Sequence, residues 1–380
     1  MALVEVQNLV KHFPKHGGFL NRVVAKVHAL NGVSFQIQSG EIVGVVGESG
    51  CGKSTLGRVM VRLLEPTEGH VIFDGQDISH LNHRQMMPFR QRFQIIFQDP
   101  NSSLNPRMTV GATLTEVVRF HRIVPAADVN AYVDELIAKV GLHADDKSKF
   151  PHEFSGGQRQ RIGIARSLAV KPEFIVADEP VSALDVSIQA QILNLLVDLK
   201  EDFALTMLFV SHDLRVVEHF CDRMLVMYLG TIVEELECRQ AAERAQHPYT
   251  QALLGANPIV DPDLRHELTV LEGDVPSPYD PPMGCPFVSR CPVKQDRCER
   301  EMPPLVAYGP QHRVACWAVE SPVRPSSNRP PGSTVDKLTQ FCHFDRLLSL
   351  LARALTVRFV KNVLHSSLAW WYRPPPFLWN

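Results

Sequence analysis

Residues 47–55 read Gly47, Glu48, Ser49, Gly50, Cys51, Gly52, Lys53, Ser54 and Thr55, directly after the apolar run Glu41–Val46 and directly before the helical pattern Lys53–Leu64. A glycine-rich turn between a strand and a helix leaves its backbone N–H groups free to cradle phosphate oxygens. In that setting Lys53 reaches the outer phosphates as a point charge, and the Ser54 hydroxyl is a ligand for Mg²⁺. A second segment, Phe174–Glu179 (FIVADE), has the pattern of a buried strand ending in two carboxylates. Asp178 is placed to bind Mg²⁺ through its waters, and Glu179 is the natural base for an attacking water. A third, Ser155, Gly156, Gly157 and Gln158, opens the helical pattern Arg159–Ala169. Ser155 can cap that helix and the glycines leave its backbone bare, which makes an anion site with no second phosphate of its own.

A fourth constellation is unrelated to phosphate. Cys285, Cys291, Cys298 and Cys316 crowd into one stretch, with five, six and seventeen residues between successive cysteines. That spacing contains no tight C-x-x-C knuckle. Four thiolates suit either an iron–sulfur cluster or zinc, and unligated buried thiols are the third reading. Pro286 and Pro292 fix the turns beside two of the four.

The elements that must carry these residues are legible from composition and periodicity. The 380 residues are 45% hydrophobic, enough to bury one large core with smaller units attached. A formal net charge of -2 gives no electrostatic footprint for a nucleic-acid backbone. No window reaches the roughly 18 apolar residues of a membrane span, and the N-terminus has no secretory pattern. Strand-like and helical runs alternate through residue 260, which predicts an α/β domain over 1–260. A helical subdomain is expected inside it at about 86–170, with Val133, Leu136, Ile137 and Val140 on one face of a helix. Beyond residue 260 proline density rises, predicting a small irregular cysteine-bearing region over 261–320. A Pro/Ser-rich linker and a basic, apolar tail fill 321–380; the tail reads either as an interfacial amphipathic helix or, more simply, as an extension without function.

With these motifs on the page, FSGGQRQR resembles the signature of the ABC ATPases, and the chain is identified as a member of that P-loop family. The resemblance implies that Ser155–Gln158 meets the γ-phosphate on a second subunit. It also supplies roles for residues that mean little alone. Gln98 is the Q-loop glutamine that senses Mg²⁺ and the membrane partner; Ser182–Asp185 is the D-loop, ending in Asp185; His212 contacts the γ-phosphate; Phe13 stacks on adenine. The stretches FQDPNSSLNPRMTV, HPYTQALL and LEGDVPSPYDPPMGCPFVSRCP are similar to those of oligopeptide and dipeptide importer ATPases, so the resemblance covers about residues 1–320. It implies ATP and Mg²⁺ as substrate and ion, and a four-iron cluster on the four cysteines. It implies an identical or paralogous ATPase partner, two membrane-spanning permease subunits, an indirect link to a substrate-binding protein, and a peripheral place on the cytoplasmic face of the inner membrane. The cargo would be di- or oligopeptides or a related solute such as glutathione or nickel. The rival class, a soluble ABC ATPase of DNA repair or translation, ordinarily carries long heptad insertions, tandem cassettes or basic surfaces, and this sequence shows none.

Overall fold

The computed structural model describes residues 2–17, 22–256 and 273–319. The chain divides into two units, Met1–Arg324 and Pro325–Asn380, and every described residue belongs to the first. The linker and tail expected over 321–380 lie outside the described residues.

Two long antiparallel strands, β1 (Ala2–Gly17) and β2 (Arg22–Gln38), lead into the buried strand β3 (Ile42–Val46). Helix α1 (Lys53–Met60) follows the glycine-rich turn, and β4 (Glu68–Phe73) and β5 (Gln76–Asp77) complete an antiparallel sheet of order β2-β1-β4-β5. Next come α2 (His83–Arg92), β6 (Phe93–Ile96), α3 (Val110–His121), α4 (Val129–Lys139) and α5 (Gly156–Leu168). Then β7 (Phe174–Asp178), α6 (Val186–Phe203), β8 (Thr206–Val210), α7 (Leu214–Phe220), β9 (Arg223–Tyr228) and β10 (Thr231–Glu237) return to the main sheet. Short helices α8 (Ala241–Arg244), α9 (Pro248–Gly255) and α10 (Asp296–Arg300) and strands β11 (Val306–Gly309) and β12 (His312–Val314) complete the described chain.

The main sheet runs β11-β12-β10-β9-β3-β8-β7-β6, parallel from β9 to β6. Its central strands are covered on both sides, so each reads as a continuous apolar run whose residues alternate between two cores. Ile42, Val46, Ile175, Ala177, Met207 and Phe209 pack toward helices α3–α6, while Val43, Val45, Val176, Leu208 and Val210 pack toward α1 and the antiparallel sheet. Register fixes the site: Val45 pairs with Val210, Asp178 with Val210, and Val46 with Val226. The carboxyl ends of β3, β7 and β8 therefore share one edge, where α/β sheets place their ligands.

Two details differ from the sequence reading. The segment expected to be helical from about 86 contains β6, an edge strand of the main sheet whose four residues FQII are too few to show a period. In the proline-rich region, β11 and β12 extend the same sheet, with Val314 opposite Glu234. Both are proline-free, and Pro310 sits in the turn between them.

Candidate nucleotide site

The turn after β3 is shaped by close backbone approach. A Cβ at Gly47 would lie 2.2 Å from the Met227 carbonyl oxygen, and one at Gly52 would lie 2.3 Å from that of Ala29. Gly52, at φ 106, also caps α1 without a side-chain hydrogen bond, so the first-turn amides are not consumed by a cap. Ser49 and Gly50 form the exposed tip; Ser54 and Thr55 are half-buried in the first turn of α1. Lys53 is buried and folds back on the loop, its Nζ donating to the carbonyls of Gly47 at 2.7 Å and Glu48 at 3.0 Å. Cys51 lies beneath, its Sγ 3.9 Å from that ammonium; burial pushes its thiol up, which keeps it protonated.

Asp178 ends β7 fully buried. Arg58 of α1 approaches its Oδ2 at 3.4 Å, while Oδ1 is buried without any hydrogen-bond partner. A carboxylate oxygen left in that state suits a cation or its water shell, so the donor set fits Mg²⁺. The next residue, Glu179, is held at φ 47 by its N–H bond to the Val210 carbonyl at 3.0 Å. Gln98 Nε2 donates to Glu179 Oε2 at 3.0 Å and to Ser182 Oγ at 3.3 Å, and His212 Nδ1 lies 3.2 Å from the same Oε2. Three distant segments of sequence thus converge on one carboxylate.

The remaining site candidates are placed elsewhere. Ser155 caps α5 in a reciprocal box with Gln158, at 3.4 and 3.0 Å. Gly156 and Gly157 lie against Leu184 and Ile188, beside Asp185, which is the N-cap residue of α6 without a side-chain cap bond. Phe13 pairs with Val27 across the hairpin, half-buried, with Lys11 Nζ 4.9 Å from its ring; Ala29, two residues beyond Val27, is the residue that touches the loop at Gly52.

The four cysteines are gathered: Cys285 and Cys298 are buried, Cys291 and Cys316 half-buried, and all are free thiols. Burial pushes Cys285 up to about 11, with Cys298, Cys316 and Cys291 adding to the rise as neighbouring negative charges. Cys285 N–H donates to the Cys298 carbonyl at 2.7 Å. Among the described residues no group of three or more His, Cys, Asp or Glu is placed to hold a metal ion. The four free thiols have the chemistry of a thiolate donor set, but the structure does not place them as one.

Sequence reasoning missed three residues that reach this site. Arg58 carried no signal beyond its helix. Tyr249 donates nothing to a motif, yet its Oη accepts the Glu48 N–H at 2.9 Å. Arg290, beside Cys291, places Nη1 at 2.8 and 3.0 Å from the Glu48 carboxylate, 242 residues away in sequence.

Known proteins place the architecture. The ABC transporter family matches residues 30–182, and the oligopeptide/dipeptide transporter C-terminal region matches 233–298. The oligopeptide transport ATP-binding protein AppF of Bacillus subtilis is 49% identical over 318 residues, 83% of this chain and 97% of AppF. A putative peptide import ATP-binding protein of Brucella ovis is 51% identical over 314 residues, 83% of this chain and 97% of that protein. Among solved structures, a dimeric ATP-binding cassette in a post-hydrolysis state with ADP and phosphate is 30% identical with a TM-score of 0.55, covering 62% of this chain and 99% of the cassette. The part of the cbiONQ transporter complex called cbiO1, from Clostridium perfringens, is 27% identical at TM-score 0.54, covering 63% of this chain and 90% of that one. A parallel sheet with a phosphate loop, a strand-end Asp-Glu pair and a capped glycine helix defines an ABC-type ATPase, a class that uses ATP and Mg²⁺. The chain belongs to the oligopeptide/dipeptide family of ABC transporter ATP-binding subunits.

Proposed function

We propose that this chain is the ATP-hydrolysing subunit that powers import of di- or oligopeptides, or a related small solute such as glutathione or nickel, across the cytoplasmic membrane. The observation that carries the reading is the meeting of Gln98, Glu179 and His212 at the carboxyl edge of the sheet, directly after Asp178. In this reading the amides of Gly47–Thr55 and the ammonium of Lys53 hold the phosphates, and Lys53 leaves the Gly47 and Glu48 carbonyls to do so. Ser54, Gln98 and Asp178 hold Mg²⁺, which when bound neutralises phosphate charge. Glu179 takes the proton of the attacking water, oriented by Gln98 and His212. Phe13 packs on the adenine, and Ser155, Gly156, Gly157, Gln158 and Asp185 serve the nucleotide of a second ATPase subunit.

The ATPase domain spans 1–260 and the cysteine-bearing region 261–320, the latter bracing itself with a four-iron cluster on Cys285, Cys291, Cys298 and Cys316. Two permease subunits receive the motion on the cytoplasmic face, a substrate-binding protein delivers cargo to them, and nucleic acid takes no part. Consistent with a peripheral subunit, no helix among the described residues is long and apolar enough to cross a membrane.

The test is the assembled transporter in vesicles. Glu179→Gln should bind ATP, lose at least about a hundredfold in hydrolysis and stop solute uptake. Hydrolysis at the wild-type rate would remove Glu179 as the base, and normal ATPase coupling with no peptide, glutathione or nickel uptake would refute the cargo.

A further inference from the structure

We propose that Arg290 is a positioning residue for the phosphate loop: it reaches back from the cysteine-bearing region to neutralise and fix Glu48, so that the loop presents amides rather than a carboxylate to an incoming polyphosphate. The inference rests on reading Gly47–Thr55 as that loop.

Glu48 is the second residue of the loop, and a free carboxylate there would oppose the anion that the loop is built to receive. Arg290 removes that charge. Its side chain is only 7% exposed, and Nη1 contacts both carboxylate oxygens, at 2.8 and 3.0 Å. Its Nε is buried without a hydrogen-bond partner, so the guanidinium is committed to this corner at some desolvation cost. The Glu48 peptide is held as well: its N–H donates to Tyr249 Oη at 2.9 Å and its carbonyl accepts Lys53 Nζ at 3.0 Å.

The anchor itself is rigid. Tyr228, Tyr249 and Phe287 are fully buried; Tyr228 meets Tyr249 and Phe287 edge to face at ring centroids of 4.7 and 5.3 Å, and Tyr249 packs tilted on Phe287 at 5.4 Å. Phe287 lies three residues before Arg290, between Cys285 and Cys291, so the turn that carries the cysteines also seats the arginine. The same region grips the neighbouring hairpin: the His28 N–H donates to the Pro278 carbonyl at 2.9 Å, and Lys15 Nζ stands 4.8 Å over the Tyr279 ring. When Lys53 swings from the Glu48 carbonyl to a phosphate, Arg290 and Tyr249 keep Glu48 from following.

A packing role and a charge-positioning role separate by rescue. In the purified full-length chain, Arg290→Gln should weaken ATP binding about tenfold, and ADP binding less because ADP carries less charge. Arg290→Lys keeps the charge and should stay within about threefold of wild type. The double variant Arg290→Gln/Glu48→Gln should recover binding to within about twofold, because the carboxylate that repels is gone. Fluorescent-nucleotide titration reads the three variants against wild type. Wild-type affinity in Arg290→Gln, or a double variant as weak as the single one, would overturn the positioning role. Lys53→Ala run alongside separates the two levels: if it still binds ATP normally, the loop reading itself fails, whereas its loss beside an unaffected Arg290→Gln sinks only the role of Arg290.

Discussion

Glu179 occupies a left-handed conformation at φ 47, which costs a non-glycine residue roughly 1 kcal/mol or more and persists only where surroundings fix it. Here the Val210 carbonyl takes its N–H, and Gln98 and His212 meet its carboxylate. The strain aims the side chain across the strand ends instead of along β7, and its residue type was legible in FIVADE while its conformation was not. The cysteines pose the opposite case, since their chemistry was readable in the sequence but their placement was not. Four free thiols share one region, and burial pushes those of Cys285, Cys291 and Cys316 up, so they stay protonated unless a metal takes them as thiolates, as the proposed cluster would. Anaerobically purified protein should therefore be brown and carry about four irons per chain, and Cys298→Ser should lose most of that iron. Stoichiometric zinc, or no metal, would refute the cluster.

At the scale of elements, α9 depends on an imidazole. His247 Nδ1 accepts the Tyr249 N–H at 3.1 Å, which requires a neutral ring, and the His247 N–H donates to Glu234 at 3.1 Å. Burial holds His247 down at about 4 against its ordinary 6.5, with Glu234 of β10 opposing the shift, and His312 of β12 shares that same carboxylate at 2.8 Å. The folded value lies below the unfolded one, so stability from this group is complete above pH 6.5. Between pH 6.5 and about 4 the unfolded chain binds a proton that the folded one refuses, and stability falls. One such proton contributes a slope of up to about 1.4 kcal/mol per pH unit. His247→Asn keeps a capping acceptor and removes the titration, so its urea midpoints at about pH 7, 6 and 5 should fall less steeply than wild type. Parallel slopes would show that His247 is not the group responsible. The sequence displayed His247 and Tyr249 in HPYTQALL without any hint of this cap, because a capping bond two residues long leaves no periodic trace. The same limit hid β6, four residues of edge strand, and β12, where the partner of Arg313 is Glu235 of β10, 78 residues earlier. Buried strands such as β3 and β7 were readable because both faces are covered and every position but the terminal Asp178 is apolar.

For the whole molecule, the decisive fact is that the sequence holds one phosphate-loop motif and one Ser155-capped glycine helix. Ser155 and Gln158 satisfy each other, and Gly156 and Gly157 abut Leu184 and Ile188 ahead of α6. The amides at the start of α5 have the geometry proposed for a nucleotide of a second subunit, and a solved cassette of the same fold is a dimer with ADP and phosphate. If that helix meets the nucleotide of a second subunit, hydrolysis requires two chains, and the rate per chain must depend on concentration. The isolated chain should hydrolyse ATP feebly when dilute and faster when concentrated or given its paralogue. Chains altered separately at the two half-sites provide the sharper measurement. Ser155→Arg blocks the capped helix and Lys53→Ala disables the loop, so each alone should be inactive. Mixed, they can build one composite site from the intact loop of the first and the intact helix of the second, and activity should return toward about a quarter of the wild-type level, since random pairing makes roughly half the dimers mixed and each has one good site of two. Where the natural partner is a paralogue, the same complementation should appear with each change placed on a different chain. A wild-type rate per chain that stays high and constant on dilution into the monomeric range would rule out a shared site.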